Sequence, residues 1–528
     1  MADKKTNVPP VTKTTSVAVA PSDGPLDAGK PPAHCQPCPP TLRLDAPLRW
    51  KGANSLEQKL LRNLQGNILK GHGRDHTWNV FFTLGPDNRK SRRLLRQLGN
   101  GFVTDAYKQL LDADAFKTDG KDGGTFCAVF LSAAGYATLG LSFTPPAGNT
   151  AFGAGMHAGQ ADLADPPRTD WEEPFRDPLH GMILVADDEI ARGSAAAASV
   201  RLLIGDAGGT VHHTQTGLAI RNTVGNGLEH FGYIDGRSQP LMLLEDIEKE
   251  SRDEGIAQWD PSFPLDTALV RDPLVTNLDE VAFGSFFVFR KLEQNVRGFK
   301  TREQQLADAL GLTGGDRERA GAFVVGRFED GTPITMSAGA EGLRTPRNDF
   351  DYTGDAAAAR CPFHAHIRKT NPRGSGGFEP ENPASPGGGG ERGHIMARRG
   401  ITYEDVPRTL HPDGLPKAGS LAEFEATVAP DLPTGGVGLL FMAYNARLDD
   451  QFVFTQQTWA NNPPFPKAPA APGLDPVIGQ GASPGGQVYP NAWDDDTAGG
   501  TPFDFKGFVT MKGGEYFFAP SLHFLRNL

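Results

Sequence analysis

Two histidines separated by one residue are the first feature of the sequence that suggests metal chemistry. His364 and His366 lie in the stretch CPFHAHIRKTNPR. A strand would place both rings on one face, whereas a helix would set them about 200° apart. A mononuclear non-haem metal could use such a pair on a strand, while a haem needs only one histidine as its proximal ligand. These two interpretations, and that of two surface histidines, stay open from the residues alone.

A sharp turn between predicted elements holds a second candidate, Asp235. It lies in FGYIDGRSQP, with Gly232 before it and Gly236 directly after it. Glycines on both sides let the backbone approach a bulky group closely. An ordinary Asp-Gly turn would give the same pattern, so a ligand-facing role for Asp235 needs support from other parts of the chain.

Basic side chains form two further groups. Arg368, Lys369 and Arg373 follow the histidine pair, where they either bind carboxylates of a ligand or form a solvated surface. Arg398 and Arg399 lie in HIMARRGITY, an apolar and strand-like stretch. An arginine is costly to place near a core unless it is paired or faces a buried anion. In such a place it can stabilise negative charge that develops during a reaction; the alternative is an edge arginine on an ordinary strand.

The cysteines contribute no clear site. Cys35 and Cys38 form a C-x-x-C in PPAHCQPCPP, which could be a redox pair or half of a zinc site. No second C-x-x-C completes a zinc site of four cysteines, so we interpret the pair as incidental thiols in a Pro-rich tail. With Cys127 and Cys361 the chain has 4 cysteines in 528 residues, too few for a disulfide scaffold.

Strands and helices alternate along the chain, in short units typical of an α+β protein built twice. Periodicity predicts strands at 77–84, 125–132, 180–188, 210–218, 284–292 and 438–446. It predicts helices at 56–69, 91–98, 104–113, 133–141, 189–207, 301–311 and 448–460, and a terminal hairpin at 507–520. We find no repeat by residue identity, so the duplication is a hypothesis about shape.

Composition excludes several classes of protein. The formal charge is 52 − 63 = −11, which is not the charge of a nucleic-acid binder and gives no attraction to anionic membranes. No apolar run is long enough to cross a bilayer, and the SVAVA stretch near the N-terminus is too short for a signal-peptide core. The default expectation is a cytoplasmic protein, with export by another route left open.

Taken together and in order, these stretches resemble the dye-decolourising peroxidase family. LQGNILKGHGRDH (64–76) is similar to the family's N-terminal signature, FGYIDGRSQP to its G-x-x-D-G motif, and GSFFVFRKLEQNV (284–296) to its central strand. CPFHAHIRKTNPR resembles the proximal-histidine segment and ARRGITY the distal-arginine segment. These five stretches occur in family order over nearly the whole chain after the tail.

The resemblance implies a fold and a cofactor. The fold would have two ferredoxin-like halves, antiparallel sheets with flanking helices, that form a dimeric α+β barrel-like peroxidase fold. One haem b per chain would lie between the halves, held mostly by the second. His366 maps to the proximal iron ligand, Arg373 to a propionate partner, and Gly236 to the backbone beside the haem. His364 occupies a position where a small residue is expected.

The resemblance also implies an activity, the reduction of hydrogen peroxide with oxidation of dyes, phenolics or other small organic reductants. Asp235 maps to the distal acid–base residue, and Arg398 to the arginine that stabilises O–O cleavage, with Arg399 as its alternative. Arg398 favours the ionised form of the carboxylate. Proton transfer by such a placed side chain contributes about 10²–10⁴-fold to a rate.

Two further assignments complete the predicted site. The proximal histidine should donate its other ring N–H to an acceptor, for which Asp449 or Asp450 is the candidate. Large dyes cannot enter a small pocket, so we expect a surface radical, with Trp459, Tyr352 and Tyr403 as the aromatic residues nearest to the motifs.

Other functions remain as alternatives. The first is a deferrochelatase-like protein that binds haem and releases its iron without significant turnover. The second is a non-haem metalloenzyme that uses His364 and His366, and the third is a structural α+β protein. In each case we expect no nucleic acid or membrane partner, and a homo-oligomer is an open prediction.

The predicted organisation has three parts. Residues 1–46 form a disordered, Pro-rich tail, 47–228 the first ferredoxin-like half, and 229–528 the second half with the haem. Flexible surface insertions are expected near 373–393 and 462–487 because both stretches are rich in Gly and Pro.

Overall fold

The computed structural model describes residues 42–376, 390–466, 472–481 and 486–528. The C-x-x-C pair, most of the predicted tail and parts of both predicted insertions lie outside these ranges. Residues 42–46, assigned to the tail from the sequence, pack on the fold. The carbonyl oxygens of Leu44 and Ala46 accept hydrogen bonds from the amides of Asp266 at 2.9 Å and Leu265 at 3.3 Å. The folded part therefore includes the end of the predicted tail.

The first half of the described chain has the order β-α-β-β-α-β. Its main strands are β1 (His76–Thr83), β2 (Phe126–Leu131), β3 (Gly181–Asp187) and β4 (Thr210–Leu218). Its helices are α1 (Ser55–Asn63), α2 (Asn88–Gly101), α3 (Ala106–Asp119), α4 (Ala133–Thr138), α5 (Thr150–Ala154) and α6 (Ile190–Asp206). All residues of β2 and β3 are buried, which explains their nearly continuous apolar sequences. The sheet order β4-β1-β3-β2 is that of a ferredoxin-like unit.

The second half repeats this order with longer connections. Its strands are β5 (Ile220–Arg221), β6 (Gly227–Leu228), β7 (Val270–Arg271), β8 (Phe283–Gln294), β9 (Ala397–Arg398), β10 (Ile401–Glu404), β11 (Val437–Asn445), β12 (Gln487–Pro490), β13 (Gly500–Phe503) and β14 (Val509–Ala519). Its helices are α7 (Leu244–Asp253), α8 (Val296–Ala309), α9 (Glu318–Val325), α10 (His366–Thr370), α11 (Leu421–Thr427) and α12 (Leu522–Asn527). The four principal strands again have the order β14-β8-β11-β10. The predicted duplication of shape is therefore confirmed.

Short helical turns fill several connections. The 3-10 turns are Arg168–Asp170, Glu173–Phe175, Leu265–Thr267, Gly314–Arg317, Glu391–His394 and Ala429–Asp431. The helix predicted at 448–460 is present as two wide, π-type segments, Asp449–Val453 and Thr455–Ala460.

One antiparallel sheet runs through both halves and bends round on itself. Strands β14 and β2 join the halves through the pair Phe518 and Leu131. At the two ends of the sheet, β10 and β4 meet, because the Thr402 hydroxyl donates a hydrogen bond to the carbonyl oxygen of Leu218. The architecture is therefore α+β and barrel-like, as the sequence predicted.

Two apolar cores lie on this sheet. The larger core combines both halves, as in the stacking of Phe130 on Phe287 with ring centroids 4.2 Å apart. The smaller core surrounds α8, where Phe299 stacks on Phe231 at 3.8 Å. The second contact fixes the start of the loop that carries Asp235.

The predicted terminal hairpin is wrong. Residues 509–519 form the single strand β14, which pairs with β8 along its length and with β2 at one position. The register of β14 shifts between Met511 and Gly513. A Cβ on Gly513 would overlap the ring of Phe175, so this glycine permits a close approach within a bulged strand rather than a chain reversal.

No helix in the described ranges is both long enough and apolar enough to span a bilayer.

Candidate active site

A cavity of about 240 Å³ lies in the second half, between the sheet and the loops around α9 and α10. Its sheet wall is largely apolar, with Leu292, Leu439, Phe441 and Met511 among the lining residues. The same cavity is lined by the five residues that the sequence assigned to the site: His366, Asp235, Arg398, Arg373 and Gly236. The fold thus brings together side chains from three separate sequence motifs.

Asp235 and Arg398 face each other in this cavity. The Asp235 Oδ1 atom lies 3.6 Å from Nη1 of Arg398 and accepts a hydrogen bond from the amide of Gly236 at 2.7 Å. Gly236 has a φ of +84°, a left-handed conformation that glycine adopts without cost. Both charged side chains are about one-third exposed, at 33% and 35%. A carboxylate and a guanidinium are therefore both available to a ligand in the cavity.

The adjacent Arg399 has a different role in the fold. Its guanidinium donates hydrogen bonds to the carbonyl oxygens of Asn67 at 2.7 Å and Ile68 at 2.8 Å. Burial lowers the pKa of Arg399 to about 10. Because neighbours on a strand point to opposite faces, only Arg398 of this pair lines the cavity.

His366 begins α10 and binds a buried carboxylate. Its Nδ1 lies 2.9 Å from Oδ2 of Asp475, a side chain with 0% exposure. The other carboxylate oxygen accepts amide hydrogen bonds from Val477 at 2.8 Å and Ile478 at 3.0 Å. Burial alone would raise the pKa of Asp475, but the contact with His366 and the two amide hydrogen bonds outweigh it, so the pKa lies below its ordinary value.

The sequence predicted Asp449 or Asp450 as the acceptor for the His366 ring N–H, and that prediction is wrong. The acceptor is Asp475. Asp449 accepts hydrogen bonds from the amide and hydroxyl of Thr150, both at 2.7 Å, and Asp450 pairs with Arg447 at 3.1 Å. Asp475 was missed because it lies within the stretch 462–487, which composition marks as a surface insertion. The signal available was an acidic residue in an apolar setting, GLDPVIG.

Two buried arginines form a cationic part of the cavity wall. Arg373 donates to the carbonyl oxygens of Asn348 and Phe350, both at 2.8 Å, and to the Ser238 hydroxyl at 2.8 Å. Arg327 donates to the same hydroxyl at 3.2 Å. In the described part of the chain neither guanidinium forms an ion pair. Burial lowers the pKa of Arg373 to about 9 and that of Arg327 to about 10. An anion bound here would therefore stabilise the charged form of both guanidiniums. The sequence indicated Arg373 but not Arg327.

The rest of the histidine segment is structural. His364 is 1% exposed and packs on Tyr489 with ring centroids 4.5 Å apart; burial lowers its pKa to about 3. Arg368 pairs with Asp355 at 2.9 Å, and Lys369 donates to two backbone carbonyl oxygens. These cations are therefore neither solvated nor free for a ligand.

A non-haem metal site is not supported by the described residues. Within them, no group of three or more His, Cys, Asp or Glu side chains is arranged to hold a metal ion. His364 does not line the cavity that contains His366, so the two rings do not act as a pair.

The three aromatic residues suggested for a surface radical lie in the interior. Trp459 and Tyr403 are 0% exposed and Tyr352 is 2% exposed. None of them can meet a dye in solution, and this assignment is wrong. Sequence proximity to the motifs does not report the exposure of an aromatic ring.

Comparison with known proteins identifies the family. Residues 63–221 match the model of the DyP dimeric alpha+beta barrel domain. The chain is also 46% identical over 497 residues to the multifunctional dye peroxidase DyP2 of Amycolatopsis sp. (strain ATCC 39116 / 75iv2), covering 92% of this chain and 99% of that protein. The chain belongs to the dye-decolourising peroxidase family. A more distant family relative, peroxidase 2 of Mycetinis scorodonius, is 29% identical over 505 residues, with 88% of this chain and 87% of that protein covered.

Solved structures of dye-decolourising peroxidases have the same fold. DyP2 from Amycolatopsis sp. superposes with a TM-score of 0.84 at 45% identity, covering 92% of this chain and 100% of that chain. The DyP-type peroxidase of Anabaena sp. superposes with a TM-score of 0.79 at 34% identity, over 92% of this chain and 97% of the other. The predicted family and fold class are confirmed.

Proposed function

We propose that this chain is a haem peroxidase that reduces hydrogen peroxide and oxidises dyes, phenolics or other small organic reductants. The observation that carries the proposal is one cavity lined by a carboxylate-backed histidine, His366, and by the facing pair Asp235 and Arg398. The overall reaction is H₂O₂ + 2 e⁻ + 2 H⁺ → 2 H₂O, with both electrons taken from the reductant. Relatives named as dye peroxidases support the class of reductant.

The residues of the cavity fit one haem b. The apolar sheet wall suits a flat macrocycle, and Arg373 with Arg327 would hold its two carboxylates, which would offset the burial of both guanidiniums. His366 would bind the iron through Nε2, because Asp475 engages Nδ1. When bound, the haem would supply the redox-active iron at which peroxide is reduced.

Asp235 and Arg398 would carry out the proton chemistry. The Asp235 carboxylate takes a proton from one peroxide oxygen and returns it to the other, so that the leaving oxygen departs as water. Arg398, 3.6 Å from that carboxylate, stabilises the negative charge that develops as the O–O bond breaks. The amide of Gly236 keeps the carboxylate oriented through its 2.7 Å hydrogen bond.

Asp475 would set the character of the proximal ligand. Its carboxylate fixes the tautomer and orientation of the His366 ring and increases the electron density on the other nitrogen. The two amide hydrogen bonds from residues 477 and 478 hold the carboxylate in turn. The pair therefore gives the site a rigid, electron-rich ligand.

The decisive experiment uses haem-loaded protein and follows the Soret band and dye bleaching after peroxide is added. We expect turnover in the unaltered protein and loss of most turnover in Asp235→Asn and in Arg398→Leu. If both variants keep full turnover, the proton chemistry is wrong. If His366→Ala binds haem as tightly as the unaltered protein, the ligand assignment is wrong.

The deferrochelatase-like alternative predicts a different product. It requires release of iron from bound haem without consumption of peroxide. Measuring free iron and peroxide in the same reaction separates the two functions. The cytoplasmic location and the oligomeric state remain predictions from the sequence.

A further inference from the structure

A second carboxylate, that of Glu229, lines the cavity six positions before Asp235. Its Oε2 accepts hydrogen bonds from the amide of Phe231 at 2.8 Å and from Nε2 of Gln294 at 2.6 Å. Its Oε1 accepts the amide of Tyr233 at 2.9 Å. Two of these three donors are backbone amides of the loop that carries Asp235.

The backbone around Glu229 forms a closed miniature hairpin. The amide of Glu229 donates to the carbonyl oxygen of Tyr233 at 3.1 Å. The amide of Gly232 donates to the carbonyl oxygen of Glu229 at 3.0 Å. At the end of the loop, the amide of Asp235 donates to the carbonyl oxygen of Gly227 at 3.0 Å. The Glu229 side chain therefore closes a loop whose last residue is the proposed acid–base group.

We propose that Glu229 is a positioning residue for Asp235, holding the loop 229–235 in place through its carboxylate and releasing it in part when it binds a proton. This inference rests on the peroxidase function proposed above. A carboxylate is an acceptor only, whereas a protonated carboxyl donates through one oxygen and accepts more weakly. Protonation must therefore weaken the hold on the two loop amides.

Gln294 is placed to accept a hydrogen bond from the protonated carboxyl of Glu229. Its Nε2 donates to Glu229, while its Oε1 is buried and has no hydrogen-bond partner among the described residues. Rotation of the amide by 180° would exchange the two atoms and offer Oε1 to a protonated Glu229. The pair can thus satisfy both protonation states without movement of strand β8.

Burial brings the titration of Glu229 close to neutral pH, and the nearby charges only partly oppose it. Burial, the largest influence, raises the pKa of Glu229 to about 7, against the hydrogen bonds of its three donors and the positive charge of Lys300 on α8. Lys300 is itself paired with Glu303 at 2.9 Å and with Glu329, and the Tyr233 hydroxyl donates to Glu303. Its charge is therefore largely balanced by these neighbours.

The test compares Glu229→Gln with the unaltered haem-loaded protein by stopped-flow measurement of the reaction with peroxide. Glutamine is nearly the same size as the protonated carboxyl, so at pH 5.5 we expect rate constants that agree within about twofold. At pH 8 we expect the variant to be slower by about tenfold, because only the unaltered protein then holds the loop with a charged acceptor. If the ratio of the rate constant of the unaltered protein to that of Glu229→Gln is the same at pH 5.5 and at pH 8, the proposal is overturned.

Two further variants identify the titrating group. Gln294→Leu removes a donor to the ionised carboxylate, so the midpoint of the rate profile should move to higher pH; an unchanged midpoint would assign the ionisation to another group. Glu248→Gln, at an exposed carboxylate paired with Arg49, is the matched control and should keep the profile of the unaltered protein.

Hydrogen exchange provides a readout that does not depend on turnover. In haem-loaded Glu229→Ala, the amides of Phe231 and Tyr233 lose their acceptors and should exchange at least about tenfold faster. Unchanged exchange would overturn the positioning role. The unaltered protein could fail to react with peroxide while the amides of Phe231 and Tyr233 still exchange faster in Glu229→Ala. In that case the proposed peroxidase function is wrong, but the role of Glu229 in holding the loop is supported.

Discussion

At the scale of single residues, the two adjacent arginines have different surroundings: one lines the cavity and the other binds the backbone. Arg398 faces Asp235, while Arg399 binds the carbonyl oxygens of residues 67 and 68. The sequence could not decide between them, because the choice depends on the register of β9 against β11, where Arg398 lies opposite Ala443. That register is set by distant pairing and not by local pattern.

This division predicts opposite effects of two matched substitutions. Arg398→Leu should slow the reaction with peroxide by about 10²–10³-fold and leave stability nearly unchanged. Arg399→Leu should keep the rate and reduce the free energy of unfolding by about 2–4 kcal/mol, because three carbonyl oxygens lose their donors. Stopped-flow rates and denaturant unfolding of the same samples check both. Equal rate losses in the two variants would contradict the assignment.

The contact between Asp475 and His366 leads to a second prediction. Asp475→Asn keeps the shape of the side chain and removes its negative charge. Loss of such a partner to a metal ligand typically costs about 10–100-fold in affinity or activity. We expect weaker haem retention, measured by transfer to apomyoglobin, and a higher iron reduction potential. Asp450→Asn, at a site that does not contact His366, is the control and should leave both properties unchanged.

The sequence indicated Asp235 and His366, which line the same cavity, because each lies in a short, ordered motif. Asp475 is 109 positions from His366 and lies between stretches rich in Pro and Gly. Composition reports how a segment resembles loops in general. It carries no information on whether one carboxylate of that segment is buried against a distant ring.

At the scale of elements, the end of α9 positions the start of α10. Gly326 ends α9 with a φ of +97°. A Cβ at this position would overlap Cγ1 of Ile367 and lie 2.9 Å from its Cδ1. Since Ile367 directly follows His366, the absence of a side chain at Gly326 allows α10 to pack closely enough to present the histidine.

Gly326→Ala should therefore disturb haem binding as well as stability. We expect a loss of about 2–4 kcal/mol in unfolding free energy, from overpacking and from the left-handed backbone together. Gly311→Ala is the control, because Gly311 has a φ of +66° and no atom within 4 Å of the added Cβ; it should cost only about 1 kcal/mol. Haem titration and thermal unfolding of both variants measure the difference. Identical losses would show that contact with Ile367 is unimportant.

Periodicity predicted most strands and helices correctly, and it failed at β14. The pair Gly513-Gly514 has the composition of a hairpin turn, yet Gly513 serves to pass close to Phe175. The same two glycines suit a chain reversal or a bulge. Only the partners of the strand decide between them, and those partners, β8 and β2, are more than 200 positions away in the sequence.

At the scale of the whole molecule, the two ferredoxin-like halves share one sheet and the larger of the two apolar cores. Phe130 of β2 stacks on Phe287 of β8, and β14 of the second half pairs with β2 of the first. The two halves that the sequence predicted to meet at 228/229 therefore share the larger apolar core.

This shared core predicts cooperative unfolding. Calorimetry of the haem-free protein should show one transition, with equal calorimetric and van't Hoff enthalpies. A chain limited to residues 42–228 would expose the β2 surface that β14 and β8 cover, and it should not fold to a stable monomer. Two resolved transitions, or a cooperatively folded fragment, would contradict this expectation.

The position of β14 has a consequence for how the protein is made. This strand joins the two halves and contributes Val509 and Met511 to the cavity. A ribosome delivers residues 509–519 only after all other principal strands have emerged, at about 5–20 residues per second. The nascent chain therefore has neither a joined sheet nor a complete cavity wall until that moment. Under the proposed function, haem can be captured in its final setting only by a chain whose synthesis has passed β14.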